Sequence, residues 1–256
     1  MCLLLISYKM HLTYKIILAA NRDEFYDRPV EAANYWKENP SILAGRDLKA
    51  GGTWIGITKE GRFAAITNYR DINLNKENSP SRGKLIIDFL SNKNSIKDYS
   101  KILKETSRLY NGYNLIFGDK DNLFYFSNKT ENLTKLTPGI YGLSNHLLDT
   151  PWPKVEKGKN SFKEKINRKD VGINDLFDIL LDKTIPPDEL LFDTGLSPEI
   201  ERAVSPIFVE TPFYGTRSST VILWDYSDKI IFVEKSLNSS NKKWITNSFT
   251  FKIKQK

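Results

Sequence analysis

At least four times along this chain a short apolar run, a polar turn and a second apolar run follow one another, the pattern of an antiparallel hairpin. The first joins Leu3, Leu4, Leu5 and Ile6 to Tyr14 through Ala20 across the polar turn Lys9 to Thr13, and ends in Asn21-Arg22-Asp23-Glu24. The second joins Ala50 through Thr58 to Arg62 through Tyr69, with Asn68 near its end. The third joins Tyr113 through Phe117 to Leu123 through Ser127, and the last joins Thr220 through Trp224 to Ile230 through Glu234. Leu133 to Leu136 and Gly139 to Asn145 also read as strands. Between the hairpins lie two pairs of segments with apolar residues at helical spacing, Gly83 to Leu90 with Ile96 to Leu109, and Val155 to Ile166 with Ile173 to Leu181. Ser95 is placed to cap the second of these helices. Hairpins exclude an all-parallel sheet, and paired helices suit the outer faces of two stacked antiparallel sheets. The expected fold class is α+β, a four-layer α/β/β/α sandwich. Glu31 to Lys49 shows no clear period and is expected as a long connection at a pocket rim, and Asn73 to Ser81 as a loop.

With 256 residues of which 40% are hydrophobic, the chain can bury a sizeable core. No linker divides it, so residues 1–256 are expected as one domain, with 236–256 as a C-terminal strand and tail. No apolar run approaches a membrane span or a signal peptide, so stable membrane insertion is not expected. A single cysteine permits no intramolecular disulfide, which makes a reducing cytoplasm the default location. The net charge of +7 comes from lysines scattered among Asp and Glu, without the basic stripe of a nucleic-acid binder. One cysteine and two histidines, His11 and His146, lack metal-ligand spacing, so no metal site is expected. Gly51-Gly52 lacks the pattern of a phosphate-binding loop and reads as a turn with left-handed backbone.

The lone cysteine, Cys2, stands directly behind Met1. A cysteine in an apolar strand is ordinarily a small buried hydrophobe. With Met1 removed, however, one residue carries both a thiol and an α-amine whose ordinary pKa of about 7.7–8.0 suits it to take the thiol proton. A hydrolase built this way needs an acid for the ammonium and donors for the oxyanion. Asp23, at the end of the returning strand, is the chosen acid, with Glu24 facing away toward Arg28 and Arg22 lowering the thiol pKa or pairing with Asp23. Asn68 and Asn145 end strands and carry amide donors, although strand-ending asparagines are also ordinary turn formers. Arg217, in a Gly-Thr-Arg-Ser-Ser turn, suits a substrate carboxylate or the nucleophile. Asn21, Glu24, Trp54, Tyr69 and Thr216 complete the expected site as substrate-binding residues.

Taken together, Met1-Cys2, Ala20-Asn21-Arg22-Asp23-Glu24-Phe25-Tyr26 with Arg28-Pro29, Gly51-Gly52-Thr53-Trp54-Ile55-Gly56, Thr67-Asn68-Tyr69, Gly142-Leu143-Ser144-Asn145 with Thr150-Pro151-Trp152, and Tyr214 through Ser219 resemble the NRDE family, the transport and Golgi organisation protein 2-like proteins. The resemblance covers roughly residues 1–235, in the family's order. It implies an N-terminal-nucleophile (Ntn) hydrolase type of fold, with a small amide or thioester as substrate class and no required cofactor. It equally implies an alternative, non-catalytic intracellular binding and trafficking of haem or an acyl-CoA/lipid ligand. Haem would then be cargo, with Cys2 or His146 as the iron ligands the sequence offers. A third reading takes Asn21 to Glu24 as a protein-docking surface.

Overall fold

The computed structural model of the chain describes residues 3–70, 76–238 and 241–253. Met1 and Cys2, the first part of the expected loop at Asn73 to Ser81, and the tail Lys254 to Lys256 lie outside the described residues. Two antiparallel sheets face one another. In spatial order one sheet consists of β10 (Gly139–Leu143), β1 (Leu3–Tyr8), β2 (Tyr14–Phe25), β11 (Tyr214–Asp225), β12 (Lys229–Leu237) and β13 (Trp244–Lys252). The other runs in chain order through β3 (Val30–Tyr35), β4 (Ile42–Asp47), β5 (Ile55–Thr58), β6 (Phe63–Asn68), β7 (Tyr113–Gly118), β8 (Leu123–Ser127) and β9 (Asn132–Lys135).

Two-residue alternation divides the apolar side chains among three layers of core. Leu4, Ile6 and Leu18 of one sheet meet Ile55, Ile57 and Ile116 of the other. Leu3, Leu5, Ile17 and Ala19 point the opposite way, against α3 (Pro153–Ile166) and α4 (Ile173–Leu180). On the far side, Ala64, Ile66, Leu115 and Phe117 pack on α1 (Gly83–Ser91) and α2 (Ile96–Thr106). This is the expected four-layer sandwich, and all four expected hairpins are present. Ser95 caps α2 through the Asp98 amide, as its position predicts. A fifth helix, α5 (Pro198–Ala203), is short and half-polar, and its sequence carries no period.

Residues 31–49 depart from expectation, because they form β3 and β4 rather than a connection. A register shift between Glu31 and Asn34 breaks the alternation of β3, so no period of two survives in its sequence. At this irregularity both backbone groups of Ala33 turn to side chains of the opposite sheet. Its NH donates to Glu234 on β12 at 2.6 Å, and its carbonyl accepts from Asn247 Nδ2 on β13 at 3.0 Å. These bonds fasten the two sheets at that edge. Burial pushes the Glu234 carboxyl up to about 7 against the Ala33 hydrogen bond, the charge of Arg22 and the Thr220 hydrogen bond, all of which favour the anion.

The turn before β5 fixes where α1 begins. Gly51 takes φ +72°, the left-handed turn expected there. Gly52 instead serves a close approach: a Cβ there would stand 2.7 Å from the Gly83 carbonyl carbon, and one on Gly83 would stand 2.8 Å from the Thr53 oxygen. The first residue of α1 therefore rests directly on the turn.

Two outcomes follow. Gly52→Ala forces α1 off the turn and costs up to about 3 kcal/mol, whereas Gly51→Ala, with open space at its Cβ, costs only the backbone strain of about 1 kcal/mol. Urea unfolding of both variants checks this, and an equal or smaller cost at Gly52 would refute the close-packing account. For Glu234, the unfolded carboxyl loses its proton near pH 4.5 while the folded one keeps it to about pH 7. Stability therefore falls as pH rises through that window and levels off above it. Glu234→Gln keeps an acceptor for Ala33 and removes the buried charge, so it stabilises the protein at pH 8 by about 3 kcal/mol relative to its effect below pH 4.5. The same unfolding energies measured at pH 8 and pH 4 check the difference, and a pH-independent effect would contradict it.

Candidate functional site

The polar ends of β2, β4 and β6 converge with the turn at residues 49–54 and the start of α1 around a cleft of about 620 Å³. Arg22, Asp23, Glu24, Trp54 and Asn68, all expected at the site, line it. Leu3 pairs with Asn21, so the start of β1 lies beside this end of β2.

Arg22 continues the inward-facing series of Leu18 and Ala20 and carries its guanidinium into the space between the sheets. Its side chain is only 5% exposed and lies 4.3 Å over the Trp54 ring. Nη2 is 3.5 Å from Glu24 Oε2 and 4.0 Å from Asp47 Oδ2, while Nη1 is buried with no hydrogen-bond partner among the described residues. Burial holds the Arg22 pKa below the ordinary arginine range, and the charges of Glu24 and Asp47 oppose it. Glu24 turns toward Arg28 as expected, at 3.7 Å. Arg28 in turn clasps Asp47 at 2.7 and 2.8 Å, and Asp47 Oδ1 accepts from the amides of Lys49 and Ala50.

Asp23 takes the opposite face of β2. Its Oδ1 accepts from Thr216 Oγ1 at 2.7 Å, and its Oδ2 is buried without a partner among the described residues. The expected approach of Asp23 to Cys2 lies outside the described residues. Thr216 also accepts from the Val209 amide at 2.9 Å, so it orients Asp23 and does not itself line the cleft. Asn21 is fully buried beneath the sheet, where Nδ2 donates to the carbonyls of Leu180 and Ile207 and Oδ1 accepts from Ser219. It ties the end of α4 to β2 and is not in the cleft lining.

Arg217 is the extra residue of a β-bulge, because Thr216 pairs with Asp23 and Ser218 with Arg22. Its Nη1 donates to the carbonyls of Phe25, Tyr26 and Arg28 at 2.7–3.1 Å. Arg217 thereby shapes the turn after β2, outside the cleft lining.

Asn68 and Asn145 do come together, through Asn145 Nδ2 and the Asn68 carbonyl at 3.0 Å. Only Asn68 lines the cleft; Asn145 lies buried behind it and accepts from Arg70 Nη2 at 3.4 Å. Tyr69 points away from the cleft into a hydrogen bond with His146 Nε2 at 2.7 Å. Thr150 gives its hydroxyl proton to the Leu147 carbonyl, so it accepts from His146 Nδ1, 2.8 Å away, and Nε2 accepts from Tyr69. Burial lowers the His146 pKa. Both its ring nitrogens are engaged, as are those of His11, so iron ligation by either would displace protein hydrogen bonds. Among the described residues no cluster of His, Cys, Asp and Glu is arranged to hold a metal ion, and no helix is long and apolar enough to cross a membrane.

Sequence reasoning did not single out Asp47, Lys49, Ser79 or Arg82 as site residues. Asp47 carried one local signal, a short polar residue two positions before a lysine-alanine-glycine turn. Arg82 carried none, since its role follows from where α1 begins. Its Nη1 donates to the Gly112 carbonyl at 2.9 Å, and burial lowers its pKa.

The profile of the family described as Transport and Golgi organisation 2 matches residues 1–239. The Transport and Golgi organization protein 2 homolog of Bos taurus is 40% identical over 258 residues, covering 94% of this chain and 93% of the relative. The Homo sapiens homolog is 39% identical over 259 residues with the same coverage, and the Drosophila melanogaster protein is 27% identical over 250 residues, covering 88% and 87%. Among solved structures, the Caenorhabditis elegans ortholog of N-acylethanolamine-hydrolyzing acid amidase aligns with a TM-score of 0.50 at 11% identity, over 87% of this chain and 92% of that one. A mutant conjugated bile acid hydrolase from Clostridium perfringens aligns with a TM-score of 0.51 at 10% identity, over 98% and 97%. At such identities the structural likeness speaks for the fold, which is that of the Ntn hydrolases. The chain, whose NRDE motif lines the cleft from Arg22 to Glu24, belongs to the Transport and Golgi organisation 2 family.

Proposed function

We propose that this chain is an N-terminal-cysteine hydrolase that cleaves a small amide or thioester in the cleft at the end of β2. The observation that carries the reading is a pair of buried atoms without partners among the described residues, Arg22 Nη1 and Asp23 Oδ2, on residues that line one cleft beside the start of β1. Buried polar atoms left unmatched are costly, and a functional site is where such a cost persists. The C. perfringens enzyme adds support, since it was solved with the cysteine at its own second position replaced by alanine, the position Cys2 occupies here.

In this mechanism Cys2, freed of Met1, attacks the substrate carbonyl carbon through its sulfur while the thiol proton passes to its own α-amine. The ammonium so formed is held by Asp23 Oδ2, whose carboxylate is kept in place by Thr216. Asn68, at the cleft wall, donates its side-chain amide to the developing oxyanion. Collapse of the tetrahedral intermediate breaks the carbon–nitrogen or carbon–sulfur bond, and the ammonium returns its proton to the leaving group. Water then hydrolyses the acyl-cysteine by the same steps. A chain with one cysteine forms no intramolecular disulfide and so is suited to a reducing compartment, and the proposed place of action is the cytoplasm.

Intact mass spectrometry and an amide and thioester probe panel test the proposal. The purified protein begins at Cys2 and accumulates an acyl-enzyme, Cys2→Ala forms none, and Asp23→Asn lowers turnover by about a hundredfold or more. Retention of Met1 caps the amine and overturns the mechanism. Saturable binding of haem or an acyl-CoA that survives Cys2→Ala, with no turnover by the unaltered protein, would instead establish the non-catalytic carrier.

A further inference from the structure

The wall of the cleft opposite β2 is the start of α1. No side chain caps this helix, no acidic residue stands in its first turn, and the amides of Arg82 and Gly83 meet no acceptor among the described residues. The carbonyls of Ser81 and Arg82 are already taken by the Lys84 and Leu85 amides. A helix that starts this way carries partial positive charge that no side chain of its own first turn balances. The Gly52–Gly83 contact holds that charge at the cleft, because the turn on which α1 rests also leads to Trp54, the platform for Arg22.

A second observation points the same way. Arg22, 5% exposed, lines this cleft with a buried Nη1 that no atom of the described residues accepts from, and Ser79 Oγ in the same lining is likewise buried without a partner among them. The charges there divide unevenly. Of the three carboxylates, Asp47 is taken by Arg28 and two turn amides, Glu24 by Arg22, Arg28 and the Phe25 amide, and Asp23 turns one oxygen to Thr216. Neither Lys49 nor Arg82 comes within ion-pair distance of a carboxylate among the described residues, although the charge of Glu24 is felt at Arg82. Four cationic side chains thus share the cleft with three carboxylates, and one of them, Arg82, stands at the N-cap of α1.

We infer that the cleft holds its ligand by an anionic group, a phosphate or a carboxylate, seated between the first amides of α1, Arg82 and Lys49, with Arg22 Nη1 reaching it from the cleft floor. Resting on the hydrolase reading of the same cleft, this makes the substrate an amide or thioester that carries an acid at its other end. Helix amides supply short donors to two oxygens of the anion, and the two side chains supply the charge.

The test follows backbone amides by NMR during titration with inorganic phosphate and, separately, acetate at constant ionic strength. Either anion, or both, shifts the Arg82 and Gly83 amides saturably, and the stronger one identifies the group. Lys49→Gln, an exposed substitution outside every helix and strand, weakens that binding about tenfold while the rest of the spectrum stays in place. Arg82→Gln does the same, though its lost bond to Gly112 makes Lys49→Gln the deciding variant. Unsaturable shifts spread over surface lysines, no shift at Arg82 and Gly83, or unchanged affinity in Lys49→Gln would each overturn the inference. The two readings fail separately: loss of the hydrolase mechanism leaves the amide shifts intact, and loss of the anion seat leaves acylation of Cys2 by uncharged probes intact.

Discussion

Strand β2 is buried on both faces, and the rest of the molecule is arranged to satisfy that condition. Pairing with β1 on one side and β11 on the other meets its backbone, while helices cover one face and the second sheet the other. A strand in this position must send apolar residues both ways, which is why Ile16 through Ala20 reads as a continuous run. When polar residues follow without a break in the strand, the same alternation carries them into the interior. Asn21 and Asp23 go to the helix face, and Arg22 goes to the inter-sheet face.

Each buried polar residue then needs a partner, and the partners define the local structure. Asn21 uses three hydrogen bonds to fasten the end of α4 and the strand beside it. Arg217, freed from the ladder by its bulge, collects three carbonyls and so fixes the turn that carries Arg28. Arg28 in turn secures Asp47, whose second oxygen holds the turn leading to Trp54. The cleft is thus the centre of a closed set of contacts that runs from β2 through β4 and back.

Arg22 is the exception, and magnitudes show why it matters. Its stacking on Trp54 is worth about 2 kcal/mol when desolvated, and its Glu24 contact at 3.5 Å is long for a hydrogen bond. A buried unmatched donor on a charged group costs about as much. The residue therefore adds little net stability, and packing alone does not account for its position. Glu234, also buried between the sheets, adds a carboxyl whose charge favours Arg22 only once it ionises near pH 7.

Much of this was legible in the sequence. The hairpin rhythm and paired amphipathic helices determine four layers, because period-two and period-3.6 patterns are local and survive in any context. Clustering of Arg22, Asp23, Glu24, Trp54 and Asn68 was likewise visible, since strand ends and turns carry polar residues to one edge. The tertiary structure alone decided the destinations. Asn21 and Arg217 looked like ligand-binding groups and became internal fasteners, because a side chain's target depends on sheet register and on a bulge that leaves no mark in the sequence. Strand β3 was hidden for the same reason, a register shift that erased its alternation, and β4 because it is buried on both faces. Asp47, Lys49 and Arg82 joined the cleft from segments far apart in the chain, and only the packing of α1 on Gly52 brings those segments together.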